Sequence, residues 1–204
     1  MIDFLIHYYR TGTEPFRSLS ALPDAEAIEI MKTLYIEGSV IWERFADPAD
    51  YLQARRQTEA WLRREFIRLG GQPQEQYPIY MVLGRSKWVE RMADPATLAT
   101  TSEIEVPLSI LSQADVSFTY PDSMVTLTLE SRKEAGVYQP GYHGRVFTLS
   151  QIRAIVDEKG LPEEGWKTHA PADLAHYIEA QVWNQGALVR YWRAGAERIE
   201  DKKF

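Results

Sequence analysis

The 204-residue chain has no cysteine, which removes disulfides, thiolate nucleophiles, cysteine-ligated iron–sulfur clusters and cysteine zinc sites. A disulfide-stapled secreted scaffold is excluded with them. No stretch approaches the roughly 20 apolar residues that a membrane-spanning helix needs. The opening Met1-Ile2-Asp3-Phe4-Leu5-Ile6-His7 puts an acid where a secretory leader carries positive charge, and its apolar run is short. A cytoplasmic protein is therefore the expectation. Basic residues are in deficit: 23 Lys and Arg against 29 Asp and Glu give a net charge of -6. A molecule of that sign repels phosphate backbones and anionic lipid, so neither nucleic acid nor membrane is an expected partner.

Several sequence motifs are also missing. There is no G-x-x-x-x-G-K-[ST], and the 12 glycines never fall into G-x-G-x-x-G behind a strand, which argues against Walker-type and Rossmann nucleotide sites. The four histidines stand at 7, 143, 169 and 176, with no H-E-x-x-H and no pair at helical spacing. No metal is expected. A G-x-S-x-G nucleophile elbow is absent as well.

The composition, 45% hydrophobic and 25% charged, is that of an ordinary globular protein, and 1–204 reads as one domain. Phe4–Tyr9 predicts a short buried strand ending at Thr11-Gly12-Thr13. Asp24 after Pro23 caps a helix over 24–37, carried by Ile28, Met31, Leu34 and Tyr35 and closed by Gly38. Asp47-Pro48 opens a second helix over 48–69, with Leu52, Leu62, Phe66 and Leu69 as its stripe and Gly70-Gly71 as its stop. That helix also carries Arg55, Arg56, Arg63, Arg64 and Arg68 among Glu59 and Glu65. A phosphate-binding patch is one reading of them, and a solvated face packing arginine stems is the plainer one.

Ile79–Leu83 predicts a buried strand, with Ser86 capping a short helix around Trp88, Val89 and Met92. Ile104–Val106 and Val116–Tyr120 follow as strands, and Pro121-Asp122-Ser123 reads as a turn. Beyond it Val125, Leu127 and Leu129 alternate with threonines, the pattern of a half-buried strand over Met124–Leu129. Residues 131–144 predict a long loop, Val146-Phe147 a short strand, 150–159 a helix capped by Ser150, and 187–199 a terminal helix. The segment 175–183 fits two periods. As a strand it places Tyr177, Glu179, Gln181 and Trp183 on one face, and as a helix it stripes Leu174, Ile178 and Val182. The expected fold is α+β, with a mixed or mainly antiparallel sheet of short strands flanked by four to five helices.

Four places carry candidate chemistry. Tyr120 stands at a strand end beside Asp122 and Ser123, either stacking on a ligand ring or belonging to a turn whose polar groups bond local backbone. The loop Tyr138-Gln139-Pro140-Gly141-Tyr142-His143-Gly144-Arg145 could frame a nucleotide or simply be an ordered surface loop. His7, beside Tyr8, Tyr9 and Arg10, reads as a polar group at a strand end or as a hydrogen-bonded structural histidine. Glu179, in the strand reading, is aimed with Gln181 at whatever that sheet face contacts.

Taken in order, His7 in an N-terminal strand, Tyr120 in a central one and Glu179 in a late one resemble the His-Tyr-Glu constellation of the ADP-ribosyltransferase fold group. The resemblance implies that His7 holds the ribose of NAD, that Tyr120 stacks near nicotinamide, and that Glu179 is the catalytic carboxylate. Tyr142 would join the cofactor site, and Arg10 or Arg145 would neutralise pyrophosphate. NAD would be a substrate, with a small nucleotide or a protein as acceptor. A carboxylate suits such chemistry because nicotinamide departure builds positive oxocarbenium charge. Two other classes stay open: a non-catalytic nucleotide- or protein-binding module, and a homo-oligomeric interaction protein that exposes some of the 6 tryptophans and 11 tyrosines.

Overall fold

The computed structural model describes residues 2–39, 41–92, 99–133, 136–162 and 174–200. Among the described residues six strands form one sheet: β1 (Phe4–Arg10), β2 (Ile79–Leu83), β3 (Thr101–Pro107), β4 (Val116–Thr119), β5 (Phe147–Thr148) and β6 (Glu179–Val182). Their order is β3-β1-β2-β6-β4-β5, and every pairing in it is antiparallel. Six α-helices accompany the sheet among the described residues: α1 (Asp24–Leu34), α2 (Pro48–Arg68), α3 (Lys87–Met92), α4 (Ser123–Arg132), α5 (Leu149–Lys159) and α6 (Gln185–Glu200). The fold is α+β, with an antiparallel sheet, as its pattern of short apolar runs predicts.

Local chemistry sets most boundaries. The Asp47 side chain accepts from the Asp50 amide at 3.1 Å with Pro48 at the first helical position. At its other end α2 stops at Gly70, whose φ of +91° is left-handed and suits glycine. Helix α1 departs from expectation at both ends: Pro23 is its N-cap, and it closes at Tyr35 instead of running on to Gly38. In α5 the cap is Thr148, not Ser150. The Thr148 hydroxyl takes the Gln151 amide while the Gln151 side chain takes the Thr148 amide, a reciprocal capping box.

The expected strand over Met124–Leu129 is a helix. Asp122 accepts from the amides of Met124 and Val125 at 3.1 and 2.9 Å and so nucleates α4. The buried positions of α4 are Ser123, Thr126 and Leu129, a three-residue helical spacing. Two of those three are polar, so the apolar residues alternate like a strand and mask the helical period. The segment 175–183 resolves the other way. Residues Glu179–Val182 are fully embedded between β2 and β4, and two neighbouring ladders claim backbone groups that a helix would have used internally.

The register defines two sheet faces. Ile6 lies opposite Val82, Val82 opposite Glu179, and Glu179 opposite Thr119, so these side chains share one face. The alternate residues Leu5, Met81, Ala180 and Phe118 take the other face, where they form the main core with Leu149 and Ile152 of α5 and Leu188 of α6. On the Glu179 face, Leu62 and Phe66 of α2 pack with Trp183 and Tyr80. Helix α1 covers α2 from outside through Ala27, Met31, Phe45 and Leu52. None of the described helices is long and apolar enough to cross a membrane.

Candidate functional site

The sheet does not bring His7, Tyr120 and Glu179 together. His7 follows Ile6 and Tyr120 follows Thr119, so both project from the face opposite Glu179. His7 is also fully committed. Its Nδ1 lies 3.1 Å from the Tyr80 carbonyl, and its Nε2 accepts from the Phe16 amide at 3.0 Å. That pair of partners requires a neutral ring protonated at Nδ1. Burial lowers its pKa to about 4, against the Tyr80 hydrogen bond, which raises it. Its work is to pin Phe16, a buried residue at a φ of +59°, whose carbonyl is held from the other side by Gln185 Nε2 at 2.7 Å. The structural reading of this histidine accounts for all its contacts.

Tyr120 is completely buried in the main core, stacked on His143 at 5.9 Å and edge-on to Tyr142 at 6.1 Å. Tyr142 thus serves the packing of the 138–145 loop. Arg145 is exposed and lies over the Phe147 ring at 5.8 Å, while Arg10 is exposed at the far end of β1. Neither arginine faces Glu179 in the interactions that hold that carboxylate.

Glu179 lies instead at the centre of a different polar cluster. Its Oε1 accepts from the Ser123 amide at 3.1 Å and from Gln181 Nε2 at 2.9 Å. Gln181 Nε2 also donates to Thr119 Oγ1 at 2.9 Å, and its Oε1 takes the Ser117 hydroxyl at 2.9 Å. Trp183 Nε1 completes the row by donating to Ser117 at 2.9 Å. Alternation along two antiparallel neighbours is what places Ser117, Thr119, Glu179 and Gln181 side by side.

Helix α2 supplies the wall over this row. Tyr51, Arg55 and Glu59 recur every fourth residue and so line one stripe. Arg55 Nε donates to Glu59 Oε1 at 3.1 Å and to Ser20 Oγ at 3.2 Å, and its guanidinium lies 4.4 Å from the centre of the Tyr80 ring. Glu59 is fully buried beneath it. The cluster is completed by Tyr177, Asp122 and Arg44, the last from the 3-10 turn Glu43–Phe45. Arg44 is solvent-exposed, and burial by the protein packed around it opposes its charge. Tyr51, Tyr177 and Asp122 outweigh that burial and keep its pKa above the ordinary value.

Burial pushes the Glu179 carboxyl up to about 7, and the charge of Asp122 adds to the rise against the hydrogen bonds from Gln181 and Ser123. Asp122 is raised as well, chiefly by burial, while the α4 amides and Arg44 favour its ionised form. Tyr80 and Tyr177 are pushed well above 10 by burial. The arrangement therefore holds three carboxyl groups, Glu179, Asp122 and Glu59, the first able to gain or lose a proton near neutrality, among three tyrosines and two guanidinium groups. Among the described residues no group of three or more acidic or histidine side chains could hold a metal ion.

Sequence reading reaches Glu179 and its alignment with Tyr177 and Gln181, and singles out Arg55 and Glu59 without joining them to that carboxylate, but misses Arg44, Tyr51 and Tyr80. The Tyr51-Arg55-Glu59 spacing was the available signal, a polar stripe on a helix otherwise read by its apolar one. Comparison with protein-family models, curated proteins and solved structures finds no match for this chain.

Proposed function

We propose that the Glu179 cluster binds a small ribosyl- or glycosyl-containing ligand and that Glu179 acts on its glycosidic bond, NAD-dependent ADP-ribosyl transfer being the case in which the ligand is NAD. The observation that carries this reading is a carboxyl with a pKa of about 7, oriented by the Ser123 amide and Gln181 and facing Asp122 and tyrosine rings. Tyr80, already stacked beneath Arg55, and Tyr177 offer ring faces and hydroxyls of the kind that sugar and nucleobase ligands use. His7 and Tyr120 have no part in this version of the site.

With NAD, the bond from ribose C1′ to the nicotinamide nitrogen breaks and its electron pair leaves with neutral nicotinamide. The cationic carbon is stabilised by ionised Glu179 until water or an acceptor hydroxyl adds and releases its proton. No acid is needed for that leaving group, so the rate should rise with pH through about 7. A glycoside with an alkoxide leaving group needs protonated Glu179, and its rate should fall over the same range.

The experiment is calorimetry and nicotinamide release with NAD, alongside a panel of nucleosides and glycosides, on the wild type and Glu179→Gln. The amide retains the acceptor for Ser123 and Gln181, so binding should persist while turnover drops by about 10²-fold or more. Turnover unchanged in Glu179→Gln would remove the mechanism. Saturable binding with no turnover in either protein would favour a non-catalytic binding module, and the absence of binding to folded protein would remove the site.

A further inference from the structure

We propose that Arg44 receives a phosphate group on the ligand of the Glu179 cluster, so that the site takes phosphorylated glycosyl compounds in preference to their unphosphorylated counterparts. This rests on the glycosyl-ligand reading above and adds the charge class of that ligand.

Arg44 is held in place without using its terminal fork. Its Nε donates to the Ile41 carbonyl, and its guanidinium carbon lies 5.9 Å from the Trp42 ring centre and 5.7 Å from that of Phe45. Those two rings are 5.8 Å apart and tilted by 33°, a fixed aromatic seat. Among the described residues no hydrogen bond or ion pair engages Nη1 or Nη2. Its Phe45 seat is edge-on to Tyr51 at 5.1 Å, and the Tyr51 hydroxyl accepts from Arg55 Nη1 at 3.4 Å, so a short chain of side-chain contacts joins the Arg44 guanidinium to the cluster. It is thus an oriented cation with four N–H donors in hand beside a candidate ligand site. Guanidinium groups recognise phosphate with two parallel donors, which is the geometry left available here.

The neighbouring Arg55 shows the contrast. Its charge is answered by buried Glu59, and its Nε is divided between Glu59 and Ser20. The start of α4 is likewise occupied, since Asp122 takes the Met124 and Val125 amides and Glu179 takes that of Ser123. Asp122 is the acidic group nearest in electrostatic effect to Arg44, but it forms no ion pair with it within 4.0 Å. Its carboxyl is turned to the helix amides, leaving the Arg44 fork to an incoming anion.

The test compares adenosine, AMP, ADP-ribose and inorganic phosphate by calorimetry on wild type, Arg44→Gln, Arg44→Lys and Glu179→Gln, with exposed Arg64→Gln as a surface-charge control. Melting curves establish that each variant is folded. Phosphorylated ligands should bind at least about tenfold tighter than adenosine to the wild type, and more weakly as salt rises. Arg44→Gln should erase that preference, Arg44→Lys should restore part of it, and Arg64→Gln should leave it unchanged. Equal affinity for adenosine and AMP, or a preference that survives Arg44→Gln, overturns the inference while leaving the glycosyl reading standing. Arg44-dependent binding of inorganic phosphate with no binding of any nucleoside overturns the glycosyl reading and leaves the phosphate site. Absence of binding by all four compounds overturns both.

Discussion

Gln181 is the residue on which the buried polar row depends. One amide nitrogen serves Glu179 and Thr119, and the amide oxygen takes Ser117, whose own oxygen is the acceptor for Trp183. Gln181, Ser117 and Thr119 are all completely buried. Truncation at the centre strands donors and acceptors on three neighbours, and a buried polar group without a partner costs about 1–3 kcal/mol. Gln181→Ala should therefore destabilise the fold by about 2–4 kcal/mol in urea denaturation, far more than an exposed glutamine would. A loss below about 1 kcal/mol would mean that water takes over the broken contacts and that the row is not an organising feature. At this scale the sequence was informative about orientation and silent about company. Alternation along 177–183 shows Glu179 and Gln181 facing one way. Nothing in it shows that Ser117 and Thr119 stand opposite, or that Arg55 arrives from a helix more than a hundred residues earlier.

Among the elements, the ones that emerged from sequence are those whose apolar period and end signals agree. Helix α2 has Asp47-Pro48 at one end, Gly70 at the other and a continuous stripe between. Helix α4 was hidden because its inward face is largely hydroxyl: Thr126 donates to the Tyr120 carbonyl at 2.9 Å and accepts from the Gly144 amide at 3.0 Å. A buried face that is satisfied by hydrogen bonds leaves no apolar period to read. The start of α5 offers a direct measurement of a misplaced end signal, since the sequence reading puts the cap at Ser150 and the structure puts it at Thr148. In the structure Thr148 accepts the Gln151 amide at 3.3 Å and Gln151 returns a bond to the Thr148 amide at 2.8 Å, whereas Ser150 only meets the Thr148 hydroxyl. Thr148→Ala should cost about 1 kcal/mol, Thr148→Ser should recover most of it, and Ser150→Ala should cost a few tenths. Equal losses at the two positions would move the cap.

Across the whole molecule, the sheet separates two buried titratable groups that the sequence had suggested as partners, and their electrostatic effects oppose each other. On one face His7 is kept neutral, its pKa lowered from 6.5 to about 4 by burial. Between those values the unfolded chain binds more protons than the native one, so this group makes stability rise with pH. On the other face Glu179 is raised from 4.5 to about 7 by burial and by Asp122, with Tyr80 and Tyr177 also facing it. Here the native state holds the extra proton, so stability falls as pH climbs through that interval and the full cost is present above about 7. Where the intervals overlap, each slope approaches at most about 1.4 kcal/mol per pH unit with opposite sign, and the two largely cancel. Glu179→Gln removes only the falling contribution. Its stability relative to wild type should thus grow steadily from pH 4.5 to 7 and then level off. Groups outside the cluster titrate alike in both proteins and drop out of the difference, and Asp122, relieved of the neighbouring carboxylate in Glu179→Gln, shifts it in the same direction. Denaturation of the two proteins in parallel from pH 4 to 8 measures it, and a difference that stays constant across the series would return Glu179 to an ordinary carboxyl and take the acid–base reading of the cluster with it.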